Sequence, residues 1–315
     1  MQKDILGDFL AYTEKKSLVV NYVQVRQNDE ILAEYQRLPT KTRLNTWSVC
    51  KSVVSAAAGI AREEGLIDLD EHIADAFPEA LPAQPSPHLT ALTVRHMLTM
   101  TTGLENALFF ADDPERYRVK DWIAYFFSQN FCREPGQEFL YCNFNTYMVS
   151  CLIEKRAGCN LLEYLRERLF APIGIHNPDW TLCPKGHVYA ANGLFLTIDE
   201  MGNFGELLLH EGEFRGRRVL SSSYVREATC NHLPHLPSSG PVDGYGYQFW
   251  INPDRESYRA DGKLGQYILV LPKKNAVVCV QALEGRPLFP AVDVYKRQLK
   301  APPHRRGQPH WLPEV

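Results

Sequence analysis

Nowhere in this 315-residue chain do apolar residues run on for the roughly 18 positions that a membrane helix requires, so no span is expected. Charge of one sign is not in surplus: 34 Lys and Arg stand against 37 Asp and Glu, a formal net charge of −3, which argues against capture of nucleic acid or of an anionic membrane. Cysteine is present but unpaired by motif. The eight cysteines, at 50, 132, 142, 151, 159, 183, 230 and 279, form no C-x-x-C and no metal-ligand spacing, and they read as reduced thiols. The opening MQKDILGDFLAYTEKK has the pattern of an amphipathic helix and lacks the apolar core of an export signal, so a cytoplasmic location is expected. Also absent are G-x-S-x-G, H-E-x-x-H, G-x-x-x-x-G-K-[ST] and G-x-G-x-x-G, and with them the usual serine elbow, zinc peptidase, phosphate loop and dinucleotide fingerprints. His232 and His235 lie in a proline loop without an acidic or cysteine partner, so no metal is assigned to them.

What is there is an ordinary globular composition, 45% hydrophobic and 23% charged, enough for a real core. Two strand-like runs, SLVVNYVQVRQ and EILAEYQRL, flank the polar turn QND. A helix from about Ser48 to Glu64 follows, stopped by Gly65 and lined with small residues in SAAAG, which predicts close neighbours. The middle of the chain alternates proline-rich loops with short helical patterns and is expected to be all-helical. The segment ANGLFLTIDEMGNFGELLLHEGEF reads as a further helix; YGYQFWI, ESYRA, GQYILVLP and NAVVCVQAL then read as strands. Strands at both ends with helices between predict an α+β fold: an antiparallel sheet built from both chain ends and flanked by helices, with an inserted all-helical lobe. The expected organisation is one domain over 1–292, with a sheet lobe at about 1–70 and 185–292 and a helical lobe at about 71–184. The Pro- and Arg-rich tail from 293 to 315 is expected to be disordered or an assembly artefact, since DVYKRQ is what a common sequencing-library transposon end encodes.

Within the first long helix, Ser48 and Lys51 are three apart and share a face. Taken alone, S-x-x-K is also what a capping serine and a lysine reaching for solvent would give. Two further signals follow in order: Y-x-N at Tyr141 and Asn143, before a helix, and K-x-G at Lys263 and Gly265, before a strand. Each is weak alone, as a packing tyrosine or a turn. The ordered set resembles the penicillin-binding protein and class C β-lactamase superfamily of serine hydrolases. RHMLTMTTGL at 95–104, NGLFLTIDEMGNFGELLL, and GYGYQFW at 244–250 followed by DGKLGQY at 261–267 extend the likeness from about residue 15 to 285. TWSVCKSVVSAAAGIAREEGLIDLD is similar to the branch of 6-aminohexanoate-dimer hydrolases and carboxylesterases.

The resemblance implies that Ser48 is a nucleophile, that Lys51, lowered in pKa by burial beside a second cation, and Tyr141 move protons, and that Asn143 bonds Lys51 and the acyl group. It places the oxyanion between the N–H groups of Ser48 and Gln266, with Gly265 leaving room at the strand edge. Lys263 would supply positive field, and the alternating aromatics predict Tyr247 and Trp250 as pocket walls. Leu264 stands where the family pattern has a hydroxyl, which sets the chain apart from relatives that bind β-lactams or peptide C-termini. The expected activity is hydrolysis of a small ester or amide through an acyl-serine, without cofactor or metal, with no nucleic-acid or membrane partner and with oligomeric state open. The alternatives are a β-lactamase or D,D-peptidase-like enzyme and a non-catalytic ligand-binding member of the same fold.

Overall fold

The computed structural model describes residues 5–110, 113–233, 242–285 and 288. The expected tail from 293 lies outside them. Helix α1 (Gly7–Lys15) leads into β1 (Val20–Gln27) and β2 (Glu30–Gln36), joined at Asn28 and Asn28's neighbour Asp29, both with positive φ as a two-residue hairpin requires. A short β3 (Leu44–Asn45) precedes a 3₁₀ turn at Trp47–Val49, which runs into α2 (Cys50–Glu63); Gly65 follows at φ +70°. Five short helices come next: α3 (Ile73–Ala76), α4 (Pro87–Thr90), α5 (Val94–Leu98), α6 (Glu115–Arg118) and α7 (Trp122–Phe127). Helix α8 (Asn143–Ala157) ends on left-handed Gly158 and is followed by α9 (Leu161–Leu165), β4 (Asp179–Trp180) and β5 (Leu194–Leu196). The chain closes with α10 (Ile198–Leu209), β6 (Glu213–Phe214), β7 (Arg217–Arg218), α11 (Ser222–Thr229), β8 (Gly244–Tyr245), β9 (Trp250–Ile251), β10 (Tyr258–Gly262), β11 (Gln266–Leu271) and β12 (Ala276–Ala282).

Seven strands form one antiparallel sheet in the order β2-β1-β12-β11-β10-β9-β8. The N-terminal hairpin therefore docks on the last strand, with Val23 opposite Val280 and Val25 opposite Val278. β11 and β12 are buried along their whole length, as strands covered on both faces must be. One face packs on Phe9 of α1 together with Leu6 and Leu288. The other receives α10, whose Gly205 has no Cβ where Val277 presses in. Helix α2 lies in the centre. Its Ala56, Ala57, Ala58 and Gly59 are all buried, and the Tyr224 ring occupies the space a Cβ on Gly59 would need.

Three expectations are corrected. YGYQFWI is not one strand: β8 and β9 pair with each other, and the chain turns through Gly246–Phe249 with Gln248 at φ +64°. Gln248 points inward, accepting from Thr146 (2.7 Å) and donating to the Leu98 carbonyl (2.9 Å). ANGLFLT begins as strand β5, in a three-stranded sheet ordered β3-β5-β4, and β4 falls within the stretch expected to be all-helical.

Candidate active site

The β3–β5 pairing fixes the start of α2. Thr46 donates to the Leu194 carbonyl through its N–H (2.9 Å) and its hydroxyl (2.8 Å). Trp47 then takes φ +50°, a left-handed conformation that costs a bulky residue on the order of 1 kcal/mol or more. Its N–H is held by the Asn45 carboxamide at 2.9 Å. The turn presents Ser48 at the head of the central helix, and Lys51 follows one turn on, with 1% of its surface exposed.

Lys51 spends all three of its donors. Nζ donates to Ser48 Oγ (2.9 Å), Asn143 Oδ1 (2.8 Å) and the Ala191 carbonyl (2.7 Å). None of these acceptors carries a full negative charge, so burial dominates and lowers the ammonium pKa to about 8. The expected second cation is not the cause: Lys263 lies over the Trp47 ring at 5.9 Å. Cys50, beside Lys51, donates its thiol to the Ala190 carbonyl at 2.9 Å, and burial pushes that thiol up to about 12. A buried thiol held in its protonated form has little nucleophilic character.

Tyr141 lies with its ring 5.1 Å from Lys51 Nζ, stacked on Trp250 (5.5 Å, 23°) and on Phe110 (6.4 Å, 26°). Burial holds the phenol well above its ordinary range; a hydrogen bond with Ser48 works against this, and the negative field of Asp261 adds to it. The phenol is thereby held in its protonated form, able to donate. Asn143 is the first residue of α8 and is buried.

A cleft of about 570 Å³ opens over these groups, walled by Trp47, Phe110, Tyr141, Asn143, Asn192, Val242, Trp250, Arg259, Asp261 and Lys263 around Ser48. Ser48, Lys51, Tyr141 and Asn143 are brought together, and Lys263 and Trp250 line the cleft. Gly265 and Gln266 do not. The Gln266 side chain donates to the Ala282 carbonyl (2.6 Å), and a Cβ on Gly265 would meet Leu288 and Ala282 on the far side of the sheet. The strand edge beside Ser48 belongs to β10. β10 pairs with β9 only at Tyr258 and Arg259, which leaves its outer edge free from Ala260 to Gly262. A Cβ on Gly262 would lie 3.2 Å from Ser48 N and clash with the Thr46 carbonyl. Lys263, Leu264 (φ +65°) and Gly265 (φ +83°) are the loop joining β10 to β11, with Gly262 opposite Gln266. Tyr247 is also excluded. It is fully buried, donates to Glu227 (2.9 Å), bonds Arg95, and stacks on His232 at 4.3 Å.

Sequence reasoning missed the cleft residues Trp47, Phe110, Asn192, Val242, Arg259 and Asp261. The last two alternate along β10, and Lys263 keeps the same spacing just past its end, a period-2 signal present in YRADGK. Arg259 is buried and donates to Asp261 Oδ2 (3.0 Å) and Asn252 Oδ1 (2.6 Å). Asp261 keeps 27% of its side chain open but sits between cleft walls, and that enclosure raises its pKa despite Arg259.

A family model described as Beta-lactamase matches residues 1–298. The chain belongs to the beta-lactamase family. A relative in this family, the 6-aminohexanoate-dimer hydrolase of Paenarthrobacter ureafaciens, is 25% identical over 281 residues, 81% of this chain and 70% of that protein. The ML-236A carboxylate methylbutanoyltransferase of Penicillium citrinum is 28% identical over 227 residues, 61% of this chain and 53% of that one. Among solved structures, a beta-lactamase from Bacteroides dorei superposes with TM-score 0.78 at 16% identity, covering 94% of this chain and 98% of that one. The hydrolase EstCE1 does so with TM-score 0.77 at 16% identity, covering 94% and 97%. These likenesses establish the beta-lactamase/transpeptidase-like fold for the family member described here. Among the described residues, no helix is long and apolar enough to cross a membrane.

Proposed function

We propose that this protein is a serine hydrolase that cleaves a small ester or amide through an acyl-serine intermediate. The observation that carries the reading is the contact of Lys51 with Ser48 Oγ at 2.9 Å by a lysine lowered to about 8. At neutral pH about a tenth of such a lysine is neutral and able to take the serine proton. Ser48 Oγ then bonds to the substrate carbonyl carbon as its proton passes to Lys51. The resulting oxyanion needs preorganised donors. Ser48 N–H is one; the other is assigned to the backbone N–H of Lys263, at the end of the free β10 edge, in place of Gln266. When the tetrahedral species collapses, the carbon–leaving-group bond breaks and the leaving group takes a proton from the Tyr141 hydroxyl, which recovers one from Lys51. Water repeats the sequence on the acyl-serine.

The cleft's aromatic walls, Trp47, Phe110, Tyr141 and Trp250, suit an apolar acyl or leaving portion. Relatives whose names denote an amide hydrolase and an acyltransferase support an acyl-enzyme route, without fixing the acyl group. The test is turnover of a panel of p-nitrophenyl esters and anilides by wild type and Ser48→Ala. Turnover by wild type, lost in a Ser48→Ala protein of similar Tm, is the expected result. Equal turnover by both would overturn the assignment, and binding without turnover in wild type would put the ligand-binding alternative ahead.

A further inference from the structure

Behind Lys51 lies a set of buried groups that the reaction itself does not use. Asn143 turns its Oδ1 to Lys51 (2.8 Å), while its Nδ2 donates to the Phe109 carbonyl (2.8 Å) and to the Tyr189 hydroxyl (3.1 Å). The Tyr189 hydroxyl in turn donates to the same Phe109 carbonyl at 2.7 Å. A phenol has one hydrogen. With that hydrogen on Phe109, the Tyr189 oxygen can only accept from Asn143, and the Phe109 carbonyl can never do anything else. The Phe109 carbonyl therefore demands the NH₂ end of the carboxamide, and so does Tyr189 while its hydrogen stays on Phe109. A flipped Asn143 would set its oxygen against two acceptors and its NH₂ against the donors of Lys51.

The surroundings hold this arrangement rigid. Tyr189 is 1% exposed, with the Trp122 ring edge-on at 5.1 Å and the Arg116 guanidinium over its face at 4.5 Å. Phe109 is 1% exposed and takes φ +59°, which aims its carbonyl inward; its N–H donates to Asp113 Oδ2 at 2.9 Å, and its ring packs on Phe144 (4.2 Å) and Tyr125 (5.3 Å).

We propose that Tyr189, acting with the Phe109 carbonyl, is a positioning residue that fixes the Asn143 carboxamide with its oxygen on Lys51. The inference rests on the reading of Lys51 as the base. Its consequence is specific. Without the Tyr189 hydroxyl, one Asn143 N–H is stranded and the carboxamide can turn, so the Lys51 ammonium loses an acceptor. Losing an acceptor disfavours the charged form.

The experiment is the pH profile of kcat/KM for an activated ester with full-length wild type, Tyr189→Phe, Asn143→Ala and the double variant, each checked by thermal melting. Tyr189→Phe removes one oxygen from an otherwise aromatic site, so the fold is retained. The acidic limb should move to lower pH by about half a unit or more in Tyr189→Phe, with kcat down about tenfold, and in the same direction in Asn143→Ala. The double variant should move no further than Asn143→Ala alone, because Tyr189 acts only through that carboxamide. A Tyr189→Phe limb that superimposes on wild type, whatever its Tm, would reduce Tyr189 to packing and overturn the proposal. So would a double variant whose shift is the sum of the two. An acidic limb unmoved by Asn143→Ala would instead show that the limb does not report Lys51, which removes the base assignment and this inference with it.

Discussion

As the proposed base, Lys51 would give the site a pH dependence that can be worked out in advance. Burial takes its ammonium from an ordinary 10.5 to about 8. At about 1.4 kcal/mol per pH unit, that is on the order of 3 kcal/mol of differential stabilisation of the neutral amine. If the neutral amine is the base, kcat/KM should rise tenfold per pH unit up to about 8 and then level off, leaving about 1% of the plateau at pH 6. No falling limb from Tyr141 is expected within the ordinary phenol range, because that phenol is held above it. Folding stability supplies a second readout. Folded Lys51 binds its proton less tightly than unfolded Lys51, so the unfolded chain carries more protons between about 8 and 10.5. Stability therefore gains a contribution that rises with pH across that window and is absent in Lys51→Met. Lys51→Arg keeps a permanent positive charge beside Ser48 and cannot act as base, so activity should fall by about 10²–10⁴. The assay is kcat/KM for a p-nitrophenyl ester from pH 5.5 to 9.5 at constant ionic strength, corrected for spontaneous hydrolysis. An acidic limb centred below about pH 6.5, or Lys51→Arg retaining more than a tenth of wild-type activity, would refute the reasoning.

Other consequences follow from packing. Gly262→Ala puts a methyl against the Thr46 carbonyl and 3.2 Å from Ser48 N, so it should cut kcat at least a hundredfold while steady-state binding of a product alcohol changes little. Trp250→Ala removes the ring stacked on Tyr141 and a wall of the cleft; KM for longer acyl esters should rise about tenfold more than for acetate esters, read from matched ester series. Glu154→Ala strips acceptors from the N–H groups of Leu161 (3.1 Å) and Val188 (3.0 Å) and from His187 Nδ1 (2.7 Å), far from Ser48 in role. It should cost about 2–4 kcal/mol in urea unfolding with kcat per folded molecule retained.

Much of the candidate site could be read from the chain because the residues that meet there are close in sequence. Ser48 and Lys51 are one helical turn apart, and Tyr141 and Asn143 flank a single helix start, so the residue strings carry the geometry. The β10 edge could not be read this way. The string K-L-G invites attachment to the strand that follows it, yet positive φ at Leu264 and Gly265 makes it a hairpin loop, and register alone decides that Gly262, not Gly265, faces Ser48. Tyr247 was misread for a related reason: alternation predicts a face only while the strand continues, and this one turns at Gly246. The third acceptor of Lys51 is a backbone carbonyl, Ala191, and a carbonyl leaves no residue signature. The sheet itself was legible from both ends, because apolar runs such as AVVCVQA are long enough to specify burial on both faces.

Activation of Ser48 as a nucleophile in a folded site is the central proposal. The direct measurement is intact-protein mass after brief exposure to a fluorophosphonate, with Ser48→Ala and Lys51→Met beside wild type. One adduct on wild type, none on Ser48→Ala and strongly slowed labelling of Lys51→Met is the predicted result. A folded wild type that takes no adduct, or an adduct that persists in Ser48→Ala, would contradict it.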